Sequence, residues 1–273
     1  MNARALRPAR PTELRRTITL TYTLALAEFR LKYLDSTLSY AWAVLRPLSW
    51  FAILYVVFTY VGRLDDGVEN YGLYLFAALV LWIFFADATA SAVRCLVGRG
   101  TLLRKVPLPH LAIPLSVVLT ATFDLAMNLI AVFVLMFIVG VTPQAGWLEL
   151  PLLLLLLMML ATGFATLLSA LYVRHRDVDQ VWQLLRQLLF FGSPILYVVS
   201  ALPDSAERIA MVNPLAAIFT EMRHALIDPS APTAAAAMGG TVRLLLPLGA
   251  IFGLLALGLW VSQRESPRVA ENS

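Results

Sequence analysis

The sequence is dominated by apolar runs that are long enough to cross a lipid bilayer. Two of the clearest are residues 113–139 and 151–173, and the second contains six consecutive leucines. A crossing helix needs about 20 mostly apolar residues, because the hydrocarbon core is about 30 Å thick. Of the 273 residues, 60% are hydrophobic and 14% are charged, whereas soluble domains carry about 25% charged residues. The sequence therefore predicts an all-α polytopic membrane protein without a separate soluble domain.

Six transmembrane helices are predicted, after an amphipathic helix at residues 17–35. This first helix has apolar residues on two opposite faces with polar residues between them, which is typical of a helix in the membrane interface. It is expected either to anchor the chain or to contact a partner. Residues 1–16 and 263–273 are predicted as cytosolic tails, the first of them flexible, and residues 17–262 as the transmembrane domain. The predicted spans are Leu45–Gly62, Tyr71–Val93, Ile113–Val139, Pro151–Val173, Val181–Val199 and Val242–Val261.

The distribution of basic residues predicts the orientation. Four of the 21 lysines and arginines fall in segments assigned to the outer side, and these are Arg63, Arg208, Arg223 and Arg243. Basic residues concentrate in short cytosolic loops, so both termini are expected in the cytosol. The first residues lead into no uninterrupted apolar region, and no cleaved signal peptide is predicted.

The loop between the second and third spans, residues 94–110, concentrates positive charge and contains no acid. Glycines near its start and prolines near its end isolate residues 101–108 as a short helix or turn across the membrane face. One interpretation is a docking element for a cytosolic partner, and the other is an ordinary basic cytosolic loop. The docking residues would be Thr101, Leu102, Leu103, Arg104, Lys105, Val106 and Pro107.

The sequence predicts two short helices on the outer side, within residues 194–227. Pro194 ends the fifth span, because proline lacks an N–H group and disfavours a helical residue before it. Asn213 followed by Pro214 is typical of a helix start, and the helix that would run to Leu226 is too short to cross the membrane. Irregular backbone at membrane depth is tolerated only inside protein or beside water. The two helices are therefore predicted to be re-entrant.

Polar residues within the predicted spans include Asp87, Asp124, Asn128 and Arg186. Asp124 and Asn128 share one helix face, and Arg186 lies on a stripe of glutamines. Ionisable groups in a membrane usually face the bundle interior and form pairs. They either line a pathway or catalytic centre, or hold helices together as a structural pair. The second interpretation is favoured, and it predicts that Arg186 pairs with Asp87 or Asp124.

Aromatic residues crowd the first two spans, among them Trp50, Tyr55, Phe58 and Trp82. In a water-filled channel such rings could stack on the apolar faces of sugars. The alternative is that they form the aromatic belt of the membrane interface or pack in the core.

Several function classes are excluded by the sequence. Lys32 and Lys105 are the only lysines, and neither follows the glycine that a phosphate-binding loop requires, so this chain is not expected to hydrolyse ATP or to act as an enzyme. The three histidines lie in separate loops and Cys95 is the single cysteine, so neither a metal site nor an intrachain disulfide is predicted. No catalytic residue is assigned, and no basic face free of membrane remains for nucleic acid.

Taken in order, these motifs resemble the permease subunits of ABC-2 exporters for polysaccharides, O-antigen and teichoic acid. The matching stretches are residues 29–47, Trp82 with residues 103–109, Arg176-Asp177, Ser193-Pro194-Ile195-Leu196-Tyr197, and residues 213–215 with Arg223 downstream. They cover roughly residues 20–262. Ser39 stands where that family usually has glycine.

The resemblance implies a homodimeric permease that works with two copies of a cytosolic ATPase subunit, which would bind ATP and Mg²⁺ in place of this chain. Residues 94–110 would form the coupling loop, and a lipid-linked glycan would cross the bacterial cytoplasmic (inner) membrane among membrane lipids. The outer gate would involve Ser193, Pro194, Tyr197, Asn213, Pro214 and Arg223. Two alternatives stay open: an ABC-2 exporter of drugs or lipids, and a membrane-embedded transferase that uses Asp87 or Asp124 as a base.

Overall fold

A computed structural model describes residues 11–33, 37–61, 68–99 and 109–272, and within these ranges the chain forms helices and no strand. This confirms the predicted all-α class. The α-helices are α1 (Pro11–Tyr33), α2 (Thr37–Val56), α3 (Tyr71–Val93), α4 (Cys95–Gly98), α5 (Ala112–Val139), α6 (Leu150–Arg174), α7 (Val178–Gly192), α8 (Asp204–Ala210), α9 (Pro214–Leu226), α10 (Ala234–Ala237) and α11 (Leu245–Asn272). A π-helical segment, Val57–Val61, continues α2.

Five helical segments are long and apolar enough to cross a membrane. They are Ala41–Thr59, Tyr71–Val93, Ala112–Val139, Ala145–Arg174 and Thr241–Glu265, and they correspond to the predicted spans one, two, three, four and six. The predicted fifth span corresponds to α7, which has 15 residues. Such a helix is about 22 Å long, which is shorter than the roughly 30 Å hydrocarbon core.

The end of α7 explains this difference. Ser193 has an extended backbone, with φ −106° and ψ 147°, which is the conformation that a following proline favours. Beyond Pro194 the chain turns into the protein, where Ile195 and Leu196 are buried. The apolar run continues across the proline, and it therefore overestimates the length of the helix.

Helix α3 is the centre of the bundle. It is apolar on all sides, as expected for a buried helix, and 83% of its membrane-crossing window is buried. It packs against α2, α5, α6 and α7. Its last residue is followed by Arg94 and the short helix α4, which leads towards the basic loop.

Helices α6 and α11 approach closely because two glycines remove side chains from their contact. A Cβ atom on Gly163 would lie 2.8 Å from the Leu255 amide nitrogen, and one on Gly258 would collide with the Gly163 carbonyl oxygen. Small residues at a helix interface permit such an approach. The last span is thereby fixed against the fourth.

The amphipathic helix predicted at residues 17–35 corresponds to α1, which begins earlier, at Pro11, so that residues 11–16 are helical and not part of a flexible tail. Its protein-facing side contains Ala25 and Tyr33, which are buried, and Phe29, whose ring lies 5.4 Å from that of Phe123 on α5. Leu31 is exposed. This one-sided burial is the pattern expected of a helix at the membrane interface.

Both short helices predicted after the fifth span are present as α8 and α9. Helix α9 begins as expected, because the Asn213 side chain accepts a hydrogen bond from the Leu215 amide at 3.0 Å and Pro214 is the first helical residue. Its predicted apolar face is buried, and consists of Leu215, Ile218, Phe219, Met222 and Leu226. That these helices re-enter the membrane stays a prediction.

Candidate functional site

A groove between α2, α3 and α7 brings together several predicted pathway residues. Trp50 and Trp82 line it from α2 and α3, and Gln183, Arg186 and Gln187 line it from α7. Its volume is about 510 Å³, which is within the range of small-molecule sites. Indole rings and side-chain amides therefore face one space, an arrangement that suits a ligand with both apolar faces and hydroxyl groups.

The four predicted stacking residues have different surroundings. Trp50 is half-exposed, and Trp82 is buried against Phe190 with ring centroids 5.5 Å apart. Tyr55 and Phe58 are not part of the groove lining, and both pack against the hydrophobic core. Trp50 and Trp82 thus remain candidates for stacking, whereas Tyr55 and Phe58 contribute to packing.

The two predicted intramembrane acids have partners from the first two helices. Lys32 Nζ donates to Asp124 Oδ2 at 2.6 Å, and the Tyr33 hydroxyl donates to the other oxygen of that carboxylate at 2.7 Å. Arg46 Nη1 lies 3.5 Å from Asp87 Oδ2. These two ion pairs line a cleft beside the groove, and the groove shares Arg46 and Asp87 with it.

The predicted pairing of Arg186 with an aspartate is wrong. Its guanidinium donates instead to the Ala86 carbonyl oxygen at 3.3 Å. Asp87 pairs with Arg46 of α2, and Asp124 pairs with Lys32 of α1. Asn128, on the same stripe as Asp124, donates from Nδ2 to the Asp124 carbonyl oxygen at 2.9 Å. Its Oδ1 is buried without a partner among the described residues.

Residues 101–107, to which the docking prediction applies, lie outside the described ranges, but the start of that loop is well defined. Arg94 Nη2 donates to Asp179 Oδ2 on α7 at 2.5 Å. Arg99 forms an ion pair with Glu28 on α1 and donates to the Ser116 hydroxyl on α5 at 3.1 Å. Burial raises the pKa of the Glu28 carboxyl, although the neighbouring Arg99 acts in the opposite direction.

On the other side of the bundle, two tyrosines at the start of α3 hold the segment that follows α7. The Tyr74 hydroxyl donates to the Pro194 carbonyl oxygen, and the Tyr71 hydroxyl donates to the Leu196 carbonyl oxygen at 2.7 Å. Tyr197 is half-buried, and its backbone carbonyl oxygen accepts a hydrogen bond from the Tyr74 hydroxyl at 3.3 Å. The non-helical segment is therefore tied to the central helix by hydrogen bonds to its backbone.

Asn213 connects the start of α9 to Ser193, which follows the end of α7. The Asn213 side-chain amide donates to the Ser193 hydroxyl at 2.9 Å, while its oxygen caps α9. The same asparagine therefore starts α9 and fixes the end of α7.

Arg223 and Asp228 form a buried ion pair beside this segment. Arg223 Nη2 donates to Asp228 Oδ2 at 2.9 Å, and the two side chains are 11% and 6% exposed. The guanidinium also lies 5.8 Å from the centre of the Tyr74 ring. Burial alone would raise the pKa of Asp228, but hydrogen bonds from Ser230 and the charge of Arg223 lower it. All six predicted gate residues are thus near one another.

Comparison with known proteins agrees with this architecture. The family model for the ABC-2 type transporter matches residues 19–227. This chain belongs to that family. Over 202 residues it is 27% identical to the O-antigen export system permease protein RfbA of Klebsiella pneumoniae, and this alignment covers 74% of this chain and 77% of the relative. The protein of the same name from Myxococcus xanthus is 28% identical over 217 residues, covering 79% and 83%. This ABC-2 protein is therefore a multi-pass membrane protein.

Sequence reasoning missed the residues that complete the networks of this ABC-2 transporter chain. They are Lys32, Arg46, Tyr71, Tyr74, Asp179 and Asp228. Some carried a usable signal: Asp179 is an acid in the first turn of a helix, where the helix dipole favours negative charge, and Asp228 follows Arg223 by five residues. Tyr71 and Tyr74 lie at the start of an apolar span, where the local sequence does not distinguish a hydrogen-bonding tyrosine from one of an interface belt.

The site residues of this ABC-2 chain offer little for metal or covalent chemistry. The described ranges contain no group of three or more His, Cys, Asp or Glu side chains suited to a metal ion. Cys95 is buried, which raises the pKa of its thiol to about 12, so the thiolate that would react is scarce at neutral pH. Asp87 and Asp124 each face a cation, and this gives the transferase alternative no support.

Proposed function

We propose that this chain is the permease subunit of an ATP-binding-cassette exporter that moves a lipid-linked polysaccharide, such as O-antigen, from the cytosol across the inner membrane. The groove is the observation that carries the proposal. Trp50 and Trp82 supply aromatic surface, and Gln183 and Gln187 supply amide donors and acceptors. A polysaccharide has both apolar ring faces and hydroxyl groups. The two relatives are named as O-antigen export permeases, which supports the same substrate class.

Removing one indole ring tests the glycan groove. Trp50→Leu keeps an apolar side chain, and we expect it to lower polysaccharide export about 2- to 10-fold, which corresponds to about 0.5–1.5 kcal/mol for an aromatic contact. The measurement is the amount of polysaccharide that reaches the cell surface at equal permease levels.

Trp260→Leu is the matched control. Trp260 on α11 is 52% exposed, against 54% for Trp50, and it is not part of the groove lining. Equal export by both variants would contradict a role for the groove. Cells in which the wild-type protein exports a drug or a lipid, but no polysaccharide, would favour the other class of ABC-2 exporter.

The proposed assembly contains two copies of this chain and two copies of a cytosolic ATPase subunit. The absence of a phosphate-binding loop from the sequence supports a separate ATPase, and ATP and Mg²⁺ would bind there. Half-exposed apolar residues on α2 and α7, such as Ile53 and Leu184, leave surface for a second copy. The purified chain alone in lipid should hydrolyse no ATP, and sustained turnover by a clean preparation would contradict the assignment.

In this assembly, residues 101–107 would seat in a cleft of the ATPase subunit. Leu103→Asp separates this role from that of an ordinary basic loop, because it keeps every cation that sets topology. Export should be abolished and co-purification of the ATPase weakened, while membrane insertion stays normal. Wild-type export with the ATPase still bound would leave the loop as a topology signal only.

The proposed topology has six crossings, with both termini in the cytosol and α8 and α9 forming an outer gate. Helix α7 together with residues 193–198 would complete the fifth crossing. Ile209 on α8 is 74% exposed, so Ile209→Cys in a Cys95→Ser background should react with an impermeant thiol reagent added outside. Arg176→Cys, exposed at the opposite end of α6 and α7, is the cytosolic control. The reverse pattern of labelling would overturn the orientation.

A further inference from the structure

One carboxylate connects the start of the basic loop to the groove. Asp179 Oδ2 accepts a hydrogen bond from Arg94 Nη2 at 2.5 Å and another from Gln183 Nε2 at 3.1 Å. Arg94 is the residue between α3 and α4, just before the loop, and Gln183 lines the groove. A side chain at the cytosolic loop and a side chain at the groove therefore share one acceptor atom.

The elements on both sides of this carboxylate are firmly placed. Asp179 lies in the first turn of α7 and is 9% exposed, and a negative charge there is favoured by the helix dipole. On the loop side, α4 is held by Cys95 and Leu96, which are both buried. Hydrogen bonds to an ionised group are also the stronger kind. The Arg94 side chain is 67% exposed and the Asp179 side chain is 12% exposed, so the contact depends on the fixed position of Asp179. A displacement of α4 is passed to α7 through this contact.

We infer that Arg94, Asp179 and Gln183 form a link that transmits movement of the basic loop to the groove. The inference rests on the proposed function, because it needs an ATPase that moves the loop. Arg94 and Asp179 are positioning residues in this scheme, and they act on the glycan through α7 and Gln183. Movement of the loop shifts the first turn of α7, and Gln183, one turn further along, shifts with it.

A second ion pair at the same loop provides the contrast. Arg99 pairs with Glu28 and also contacts Ser116, so it ties the loop to α1 and α5. Neither Glu28 nor Arg99 lines the groove. Breaking this pair should therefore leave the transfer of movement to α7 intact, and it serves as a matched control.

The first experiment measures export per ATP hydrolysed by the complex of this chain with its ATPase subunit in lipid vesicles. Asp179→Asn keeps the shape of the side chain and removes its charge. We expect ATP hydrolysis to stay within about twofold of wild type, while glycan export per ATP falls about fivefold or more, the lower end of typical coupling between sites. Glu28→Gln should leave export per ATP unchanged. The exchange of charges in Arg94→Asp with Asp179→Arg should restore part of the coupling.

A structural role alone would give a different result. It would lower protein yield and both activities in parallel, with an unchanged ratio of export to hydrolysis, and that outcome would overturn the link. Wild-type vesicles that show neither ATPase binding nor glycan export would instead contradict the proposed function.

Cross-linking gives a second test that does not depend on the folding of Asp179→Asn. Cysteines at positions 94 and 179 in a Cys95→Ser background can be joined by a bifunctional thiol cross-linker that contains a reducible bond and spans more distance than a direct disulfide. If the two positions move together, the cross-linked complex should export at no less than about half the rate of the same complex after reduction. Loss of export on cross-linking, with recovery after reduction, would mean that the two positions must separate, and the link would be refuted.

Discussion

The two sides of the membrane bundle are held together by different kinds of polar contact. On the side of the predicted outer gate, Arg223 and Asp228 are almost fully buried, and the tyrosine hydroxyls bind backbone carbonyl groups. On the side of the basic loop, four ion pairs among the described residues join side chains of separate helices. In three of these pairs, one or both side chains are 44–67% exposed. Buried ion pairs are costly to break, whereas exposed pairs are weak. The contacts on the side of the predicted outer gate should therefore cost more to rearrange than those on the side of the basic loop.

The largest expected effect comes from breaking the buried pair of Arg223 and Asp228. Asp228→Asn leaves the Arg223 guanidinium in a buried position without a compensating charge, and we expect a loss of about 3–5 kcal/mol in the free energy of unfolding. Unfolding in detergent, followed by denaturant titration, measures this loss. Ser230→Ala removes a neutral hydrogen bond to the same carboxylate but leaves both charges in place, and it is the control.

Replacing both members of the pair sharpens the test. Arg223→Met combined with Asp228→Leu removes both buried charges, and it should cost less than Asp228→Asn alone because no charge is left uncompensated. A double variant less stable than Asp228→Asn would mean that the pair itself stabilises the fold.

The second effect concerns the tyrosines at the start of α3. Tyr74→Phe leaves the Pro194 carbonyl oxygen without its hydrogen-bond donor, and we expect a loss of about 1–3 kcal/mol. Tyr55→Phe is the control, because the structure gives the Tyr55 hydroxyl no hydrogen bond within the described residues. If both variants unfold at the same temperature, the tyrosine does not hold the gate segment.

The ion pair of Lys32 and Asp124, on the side of the basic loop, should give a smaller effect. The side chains of Lys32 and Asp124 are 51% and 22% exposed, so their interaction should contribute about 0.2–1 kcal/mol and weaken with salt. A double-mutant cycle with Lys32→Met and Asp124→Asn measures it. The same cycle between Arg186→Gln and Asp124→Asn should give additive losses. If Arg186 and Asp124 are coupled and Lys32 and Asp124 are not, Arg186 is the partner of Asp124, as the sequence predicts.

These pairs also mark the limit of what the sequence predicts. The ends of helices could be predicted from the sequence because they depend on local chemistry, as with Pro194 after α7 and the Asn213 cap of α9. The partners of Asp87 and Asp124 could not be predicted, because long side chains from α1 and α2 reach these acids across helix contacts that no local pattern specifies. The length of α7 was overestimated because hydropathy does not register where a proline redirects the backbone. The sequence identifies Trp50 and Trp82 as candidates for stacking, together with Tyr55 and Phe58. Only the packing of α2 on α3 shows that the first two line the groove and that the other two pack against the core.

The smallest expected effect is a difference in pH dependence between the two sides. The pKa of Asp228 is lowered in the folded protein, so its contribution is present above the ordinary aspartate pKa of about 3.9 and is lost as pH falls through the lower folded value. The pKa of Glu28 is raised, so its contribution is present below the ordinary glutamate pKa of about 4.3 and is lost as pH rises through the higher folded value. Glu28→Gln should therefore flatten the decline in unfolding temperature just above pH 4, and Asp228→Asn should leave that decline in place. A decline that persists in Glu28→Gln, or that changes equally in both variants, would contradict the proposed contrast between the half-buried Glu28 and the paired Asp228.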